Sequence, residues 1–362
     1  MRKKLLSIVI CVVMISSLLA ACGKKDTSAG SAGGDTKKIG VAMPTKDLQR
    51  WNQDGDNMKK ELEAAGYKVD LQYANNDVTT QVSQIENMIT NGDNVLVIAS
   101  IDGSSLGTVL AEAKSKNIPV IAYDRLIMDT DAVSYYATFD NYMVGQIQGQ
   151  YITDKLDLKN QAGPFNIELF TGSPDDNNAH FFFNGAMDVL QPYIDNGKLK
   201  VVSGQQKFEE AATANWSTEE SQKRMENLLT AYYANGTKLD AVLSSNDSVA
   251  NGITNALVNA GYTKDNFPIL TGQDCDITSV KNILAGTQSM SIFKDTRQLA
   301  SKVVEMVTAI VSSKEVPVND TKTYDNGKGI VPTFLCKPEF ADASNYTKLL
   351  IDSGYYTADQ LK

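Results

Sequence analysis

Short apolar runs alternate with stretches of helical hydrophobic spacing along almost the whole chain, and this alternation restricts the fold more than any other feature of the sequence. Residues 39–42, 95–99 and 118–122 are near-continuous apolar runs. Between them Val78, Val82, Ile85 and Ile89 recur at helical spacing, and Gly66 and Gly92 stand where helices stop. A strand that is apolar on both sides has to be covered on both faces, so the pattern argues for parallel sheets layered with helices. Strands are expected at 39–42, 69–73, 95–99, 118–122 and 133–137, with helices at 54–65, 78–91 and 104–116. The pattern then restarts, with strands at 165–170, 199–203, 240–243, 268–270, 289–293 and 330–335 and helices at 144–155, 179–195, 217–233, 248–260, 279–284 and 298–312. The tail to Lys362 is less regular, with one helix expected at 345–353. Two βα series of similar size, faintly echoed in Ala65-Gly66-Tyr67 and Ala260-Gly261-Tyr262, imply two α/β lobes. The cleft between such lobes is a preferred place for a small ligand.

Residues 1–21 read as a secretory leader rather than part of the fold. Arg2, Lys3 and Lys4 form its basic start and residues 5–19 its apolar centre, short of the roughly 20 residues a membrane span needs. Leu19-Ala20-Ala21-Cys22 puts small residues directly before a cysteine and resembles a bacterial lipobox, so Cys22 is the expected lipid attachment and first mature residue. Residues 22–37, rich in Gly, Ser, Ala, Lys and Asp, read as a flexible tether spanning on the order of 20 Å. The expected location is extracytoplasmic, on the outer face of the cytoplasmic membrane. The chain carries a net charge of −9, which becomes more negative once the leader's three cations leave. With no basic run, nucleic acid is excluded as a partner. Cys275 and Cys336 read as separate small buried residues, although a disulfide is permitted outside the cytoplasm. His180 is the only histidine and no CxxC occurs, so no metal is expected and Ser-His-Asp hydrolysis has little support. No phosphate loop and no nucleophile–base pair is visible, which points to binding without a cofactor rather than to an enzyme.

The informative polar residues gather just past the strand ends. Residues 118–125, Ile-Pro-Val-Ile-Ala-Tyr-Asp-Arg, finish in a carboxylate and a guanidinium where open parallel sheets bind ligands. Lys46, Arg50 and Trp51 follow the first strand, and Asp175, Asp176, Asn177 and Asn178 follow the strand at 165–170. Trp216, then Asn246 and Asp247, then Gln273 and Asp274, then Lys294, Asp295 and Arg297 follow later ones. A pyranose has a face of CH groups on which indole stacks, and a rim of hydroxyls, each donor and acceptor, that Asp, Asn, Arg and Lys can pair. Each residue taken singly has a plainer reading. Asp124 and Arg125 suit a strand-end ion pair, Trp51 and Trp216 suit packing, and Asn246 suits a helix cap. Asp175 and Asp176 suit helix-start charges, Asp274 a turn, and Arg50 and Lys294 solvated surface. Their coincidence on successive strand ends is what favours a sugar site.

These runs resemble the type I periplasmic sugar-binding proteins of ABC importers, and among them the multiple-monosaccharide-binding lipoprotein branch. The resemblance is carried by Gln49-Arg50-Trp51, by residues 83–88, 95–103, 120–126, 133–141, 165–179 and 292–297, and by Gly272-Gln273-Asp274. It spans nearly all of residues 38–362. It implies two Rossmann-like lobes with parallel sheets joined by a three-crossing hinge, near Phe139, Lys294 and Pro332. Lobe one would be residues 38–139 plus 295–331, and lobe two residues 140–294 plus 332–362. It implies ligand contacts from Arg50 and Trp51, from the Asp124–Arg125 pair, from Asn178 with Asp176 as a weaker candidate, from Trp216 as a second stacking group, and from Asn246 and Asp274. Lys294 falls where relatives carry Asn or Gln. Arg125 is further expected to hold Asp124 ionised. The Asp/Asn-rich calcium loop of galactose-binding relatives is missing, which again implies no metal. The implied partners are an aldopyranose such as xylose, glucose or galactose, an ABC permease with its ATPase, and the membrane through the N-terminal lipid, the protein itself being a monomer. A sensor that passes lobe closure to a chemotaxis or signalling receptor remains the alternative, because import and sensing read the same closure.

Overall fold

The apolar runs become the strands of two parallel sheets. The computed structural model describes residues 36–362; the leader, Cys22 and the tether up to residue 35 lie outside the described residues. The first half runs β1 (Lys38–Met43), α1 (Gln49–Ala64), β2 (Lys68–Tyr73), α2 (Val78–Thr90), β3 (Val95–Ile98), α3 (Gly107–Ser115), β4 (Val120–Tyr123) and β5 (Tyr135–Phe139). Then come α4 (Asn141–Lys155), β6 (Phe165–Phe170), α5 (Asn177–Asp195), β7 (Leu199–Val201), α6 (Phe208–Ala211) and α7 (Thr218–Leu228). The chain continues through β8 (Ala241–Ser244), α8 (Asp247–Asn259), β9 (Ile269–Leu270), α9 (Ile277–Ala285), β10 (Met290–Phe293), α10 (Thr296–Val311), β11 (Thr333–Cys336) and β12 (Glu339–Asp342). The first sheet has the order β11-β5-β4-β3-β1-β2 and the second β7-β6-β8-β9, with every pairing parallel.

Alternation along the strands sorts the core. Ile39, Val41 and Met43 pack on one face of the first sheet with Trp51, Met58 and Leu62 of α1 and Leu299, Val303 and Met306 of α10. Ala42, Leu96 and Ile98 take the other face with Ile85 and Met88 of α2 and Leu110 of α3. Fully burying each large apolar side chain of this kind stabilises the fold by about 1.5–3 kcal/mol. The second sheet holds its own core, with Ile167, Leu169, Val242 and Leu243 between helices that contribute Val144, Phe182, Leu190 and Ile253. In both sheets the order reverses at an inner strand, β1 in one and β6 in the other, which opens a crevice beyond the strands' carboxyl ends.

Four local expectations are corrected. Helix α1 begins at Gln49, not residue 54, because its buried stripe of Trp51, Gly55, Met58 and Leu62 keeps the helical period back to Trp51. Helix α3 starts at Gly107, and Asp102 instead accepts from the Ser104 amide in the preceding turn at 2.8 Å. The last crossing does not fall at Pro332: β11 pairs with β5, Thr333 opposite Tyr136 and Cys336 opposite Phe139, so the chain leaves the first sheet after Cys336. Beyond it, β12 pairs antiparallel with β10, and the helix expected at 345–353 is a single π-helical segment, Thr347–Asp352. Cys275 and Cys336 are both buried and free. No helix among the described residues is long and apolar enough to cross a membrane.

Candidate functional site

Arg50 and Trp51 project from the first turn of α1, just past β1, and Asp124 and Arg125 follow β4 directly. From the second sheet, Asp176 caps α5 by accepting from the Asn178 amide, and Asn246 caps α8 by accepting from the Val249 amide at 2.9 Å. Gln273 and Asp274 follow β9, Lys294 follows β10, and Trp216 precedes α7. All of these, with Leu48 and Phe182, line one cavity. It therefore collects Arg50, Trp51, Asp124, Arg125, Asn178, Trp216, Asn246, Asp274 and Lys294, every ligand position expected from the sequence. None of the nine is more than 8% exposed, so the lobes are closed over the cavity.

Three of the lining residues sit in left-handed backbone: Asp124 at φ +60°, Trp216 at +55° and Asp274 at +98°. A short carboxylate tolerates this region, but a bulky tryptophan is strained there. Packing holds it. The Trp216 ring lies against Gly172, where any Cβ would come 2.0 Å from Cη2, and meets Phe182 edge-on at 6.3 Å.

The charged residues form a buried network. Arg50 donates to Asp54 through Nε and Nη2 at 3.0 and 2.8 Å, and its Nη1 reaches Asp274 of the second lobe at 3.3 Å. Lys294 lies 3.0 Å from Asp274 and 3.9 Å from Asp124. Burial pushes the Asp124 carboxyl up, but Arg50 first, then Lys294 and Arg125, outweigh it and hold Asp124 below the usual carboxylate range. Arg125 is thus not its chief partner. The Arg125 Nε pairs with Asp176 across the cleft at 3.0 Å, and Nη1 donates to the Ser100 and Ile101 carbonyls. Burial raises Asp54 to about 6, against the pull of Arg50, and raises Asp176 against that of Arg125. Both guanidiniums also lie over the Trp51 ring, at 4.5 and 5.1 Å from its centroid.

Several plainer readings hold together with the site reading. Trp51 is core as well as cavity wall, and Asn246 and Asp176 are helix caps as well as lining residues. Asn178 is largely spent on the fold: Nδ2 donates to the Asp124 carbonyl at 2.7 Å, and Oδ1 accepts from Tyr136 and Asn141 at 3.0 Å each. Four lining atoms are buried without a hydrogen-bond partner: Nε1 of Trp51, Nε1 of Trp216, Oε1 of Gln273 and Oδ2 of Asp124. The last lies 2.9 Å from Arg50 Nη2, an ion pair off the hydrogen-bonding direction.

Sequence reasoning passed over Asp54, Phe182 and Leu48, and did not single out Gln273 as a contact. Asp54 stands four residues after Arg50, a helical ion-pair spacing hidden by the late start expected for α1. Phe182 likewise follows Asn178 by one helical turn on α5.

The family model for the periplasmic binding protein domain matches residues 39–315. The multiple sugar-binding periplasmic protein SbpA of Azospirillum brasilense is 53% identical over 350 residues, 96% of each chain. The D-xylose-binding periplasmic protein of Escherichia coli (strain K12) is 40% identical, over 90% of this chain and 92% of that one. A solved ABC transporter solute-binding protein from Clostridium phytofermentans, with bound β-D-glucose, is 69% identical, with a TM-score of 0.88 over 90% of this chain and 100% of its own. With its matched domain, its paired parallel sheets and the cavity closed between them, the chain belongs to the periplasmic binding protein family.

Proposed function

We propose that this chain is the extracytoplasmic solute-binding lipoprotein of an ABC importer, anchored through Cys22, which closes on an aldopyranose of the glucose, xylose or galactose type and delivers it to a permease. It works as a monomer and makes or breaks no bond. The observation that carries this reading is that four polar atoms on residues lining one closed cavity are buried without a hydrogen-bond partner: two indole N–H donors and two acceptor oxygens, one of which is ion-paired with Arg50. An unmet buried polar group costs about 1–3 kcal/mol, and a polyhydroxyl ligand supplies donors and acceptors together. Asp124 and Asp274 accept from sugar hydroxyls, Arg50, Arg125, Lys294 and the amides of Asn178 and Asn246 donate, and the faces of Trp51 and Trp216 cover the CH surfaces. The sugar-bound solved relative and the xylose-binding one support the substrate class, and the relatives favour import over sensing.

Calorimetry on the chain without leader and Cys22, against a panel of monosaccharides, tests the reading. At least one aldopyranose is expected to bind with a Kd of about 1 µM or tighter. Asp124→Ala and Trp216→Ala are each expected to weaken it by at least ~30-fold with circular dichroism unchanged, because the first leaves the buried cations Arg50 and Lys294 short of a partner and the second removes a stacking face. Failure of every aldose to bind the wild type sinks the proposal.

A further inference from the structure

The C-terminal tail, the least regular part of the sequence, reaches the flank of the cavity. It packs on the second lobe, where Leu350, Tyr356 and Leu361 share a cluster with Cys275, Val280, Phe293 and Ala341. From there the Tyr356 hydroxyl accepts from Gln49 Nε2 at 2.6 Å and Gln53 Nε2 at 3.2 Å, and donates to the Cys275 carbonyl at 2.9 Å. Both glutamines belong to α1 of the first lobe. Gln49 completes the link by accepting from the Ile277 amide at 3.1 Å, and Tyr355 adds a bond to Gln53 Oε1 at 3.1 Å.

We infer that Tyr356 is a positioning residue for ligand closure: its buried hydroxyl ties α1 of the first lobe to residues 274–277 of the second and so sets Arg50 against Asp274. The inference rests on the sugar-site reading of the cavity. Tyr356 does not line the cavity and so acts through its neighbours. Gln49 adjoins Arg50 and Cys275 adjoins Asp274, the two charges that meet at 3.3 Å across the cleft. Asp274 and Cys275 both lie at positive φ past the end of β9; the Asp274 amide donates to the Ile292 carbonyl at 2.8 Å, and beyond that bond the turn is held through Cys275, whose amide donates to Ser291 Oγ and whose carbonyl accepts from Tyr356. The donors to Tyr356 ride on one lobe and its acceptor on the other, so the full set of bonds exists only in the closed state. Their contribution falls on the closing step and on the rate of ligand release.

Tyr356→Phe keeps the ring and removes the hydroxyl. The expected result is sugar binding about 5- to 30-fold weaker, the range for one or two net hydrogen bonds, with the loss in the dissociation rate and the association rate unchanged. Without sugar, small-angle scattering is expected to show a more open average for the variant than for wild type, at unchanged melting temperature. Gln49→Met shares one of the deleted bonds, so the double variant should lose less than the two singles combined. Wild-type affinity and release rate in Y356F, full additivity with Q49M, or a drop in the melting temperature of the sugar-free variant each overturn the inference. Should Y356F not fold, Q49M carries the same test, with wild-type affinity and release rate overturning it. If the wild type binds no sugar, the functional proposal fails by itself, and the scattering comparison without sugar still decides the role of Tyr356.

Discussion

Asp54 sits at the base of the site, wholly buried, holding Arg50 with one carboxylate oxygen and receiving the Tyr123 hydroxyl on the other. Burial raises its carboxyl from 3.8 to about 6, with Arg50 opposing. The folded state therefore binds this proton more tightly than the unfolded chain does. The stability linked to Asp54 is fully present on the acidic side and is lost as pH climbs from the unfolded value through about 6. Asp124 has the opposite sign: its lowered carboxyl stabilises above the ordinary carboxylate range and loses that contribution as pH falls below it. Asp54→Asn removes the first slope. The stability of wild type relative to D54N, from urea denaturation, is expected to fall by about 2.4 kcal/mol between about pH 4 and about pH 7. A difference that stays flat across that window would mean that Arg50 cancels the burial cost completely.

Two helices set the second lobe's contribution to the cleft. Helix α5 carries Asp176 at its cap, Asn178 in its first turn and Phe182 one turn later, and it lies against α4 through facing glycines. A Cβ on Gly185 would come 2.1 Å from the Tyr142 carbonyl oxygen, and one on Gly145 would come 2.0 Å from that of Phe182. Neither backbone can give way without moving the helix that holds the site. Gly185→Ala is expected to cost about 1–3 kcal/mol of stability through overpacking. It should also weaken sugar binding, because the residues that meet Arg125 and the Asp124 carbonyl move with α5. Denaturation and calorimetry on the same preparation check both effects. Loss of stability with wild-type affinity would show that the start of α5 is held by the first lobe and not by α4.

At the scale of the whole molecule, the cleft closes a small, highly charged cavity between two separately cored lobes. A ligand bound there touches both lobes and stabilises only the folded chain. At a concentration of about 100 times its Kd, a cognate aldopyranose is expected to raise the unfolding free energy by about 2.7 kcal/mol. Denaturation with and without sugar reads this directly, and Asp124→Ala, at least ~30-fold weaker, should show an increment of about 0.9 kcal/mol or less at the same concentration. A wild-type increment far below that value would mean that the sugar also binds a state in which the lobes have come apart.

The local pattern alone determined the two-lobe parallel architecture, because strands covered on both faces must be apolar throughout and leave their polar residues at the ends. That is why Arg50, Asp124, Trp216 and Asp274 stand out in the sequence, and why they share one cavity. What the sequence did not settle is pairing. Whether residues 333–336 join the first sheet depends on an open edge at β5, 190-odd positions earlier, which no local period encodes. Likewise Arg125 has Asp124 beside it in sequence, yet it turns to Asp176 across the cleft, while Arg50 reaches Asp124 from another element. Adjacent residues past a strand end point in different directions, and a buried charge takes whichever opposite charge the closed lobes bring within reach. Tertiary structure alone decided those partners, and with them the tie from Tyr356 back to the turn that follows Asp274.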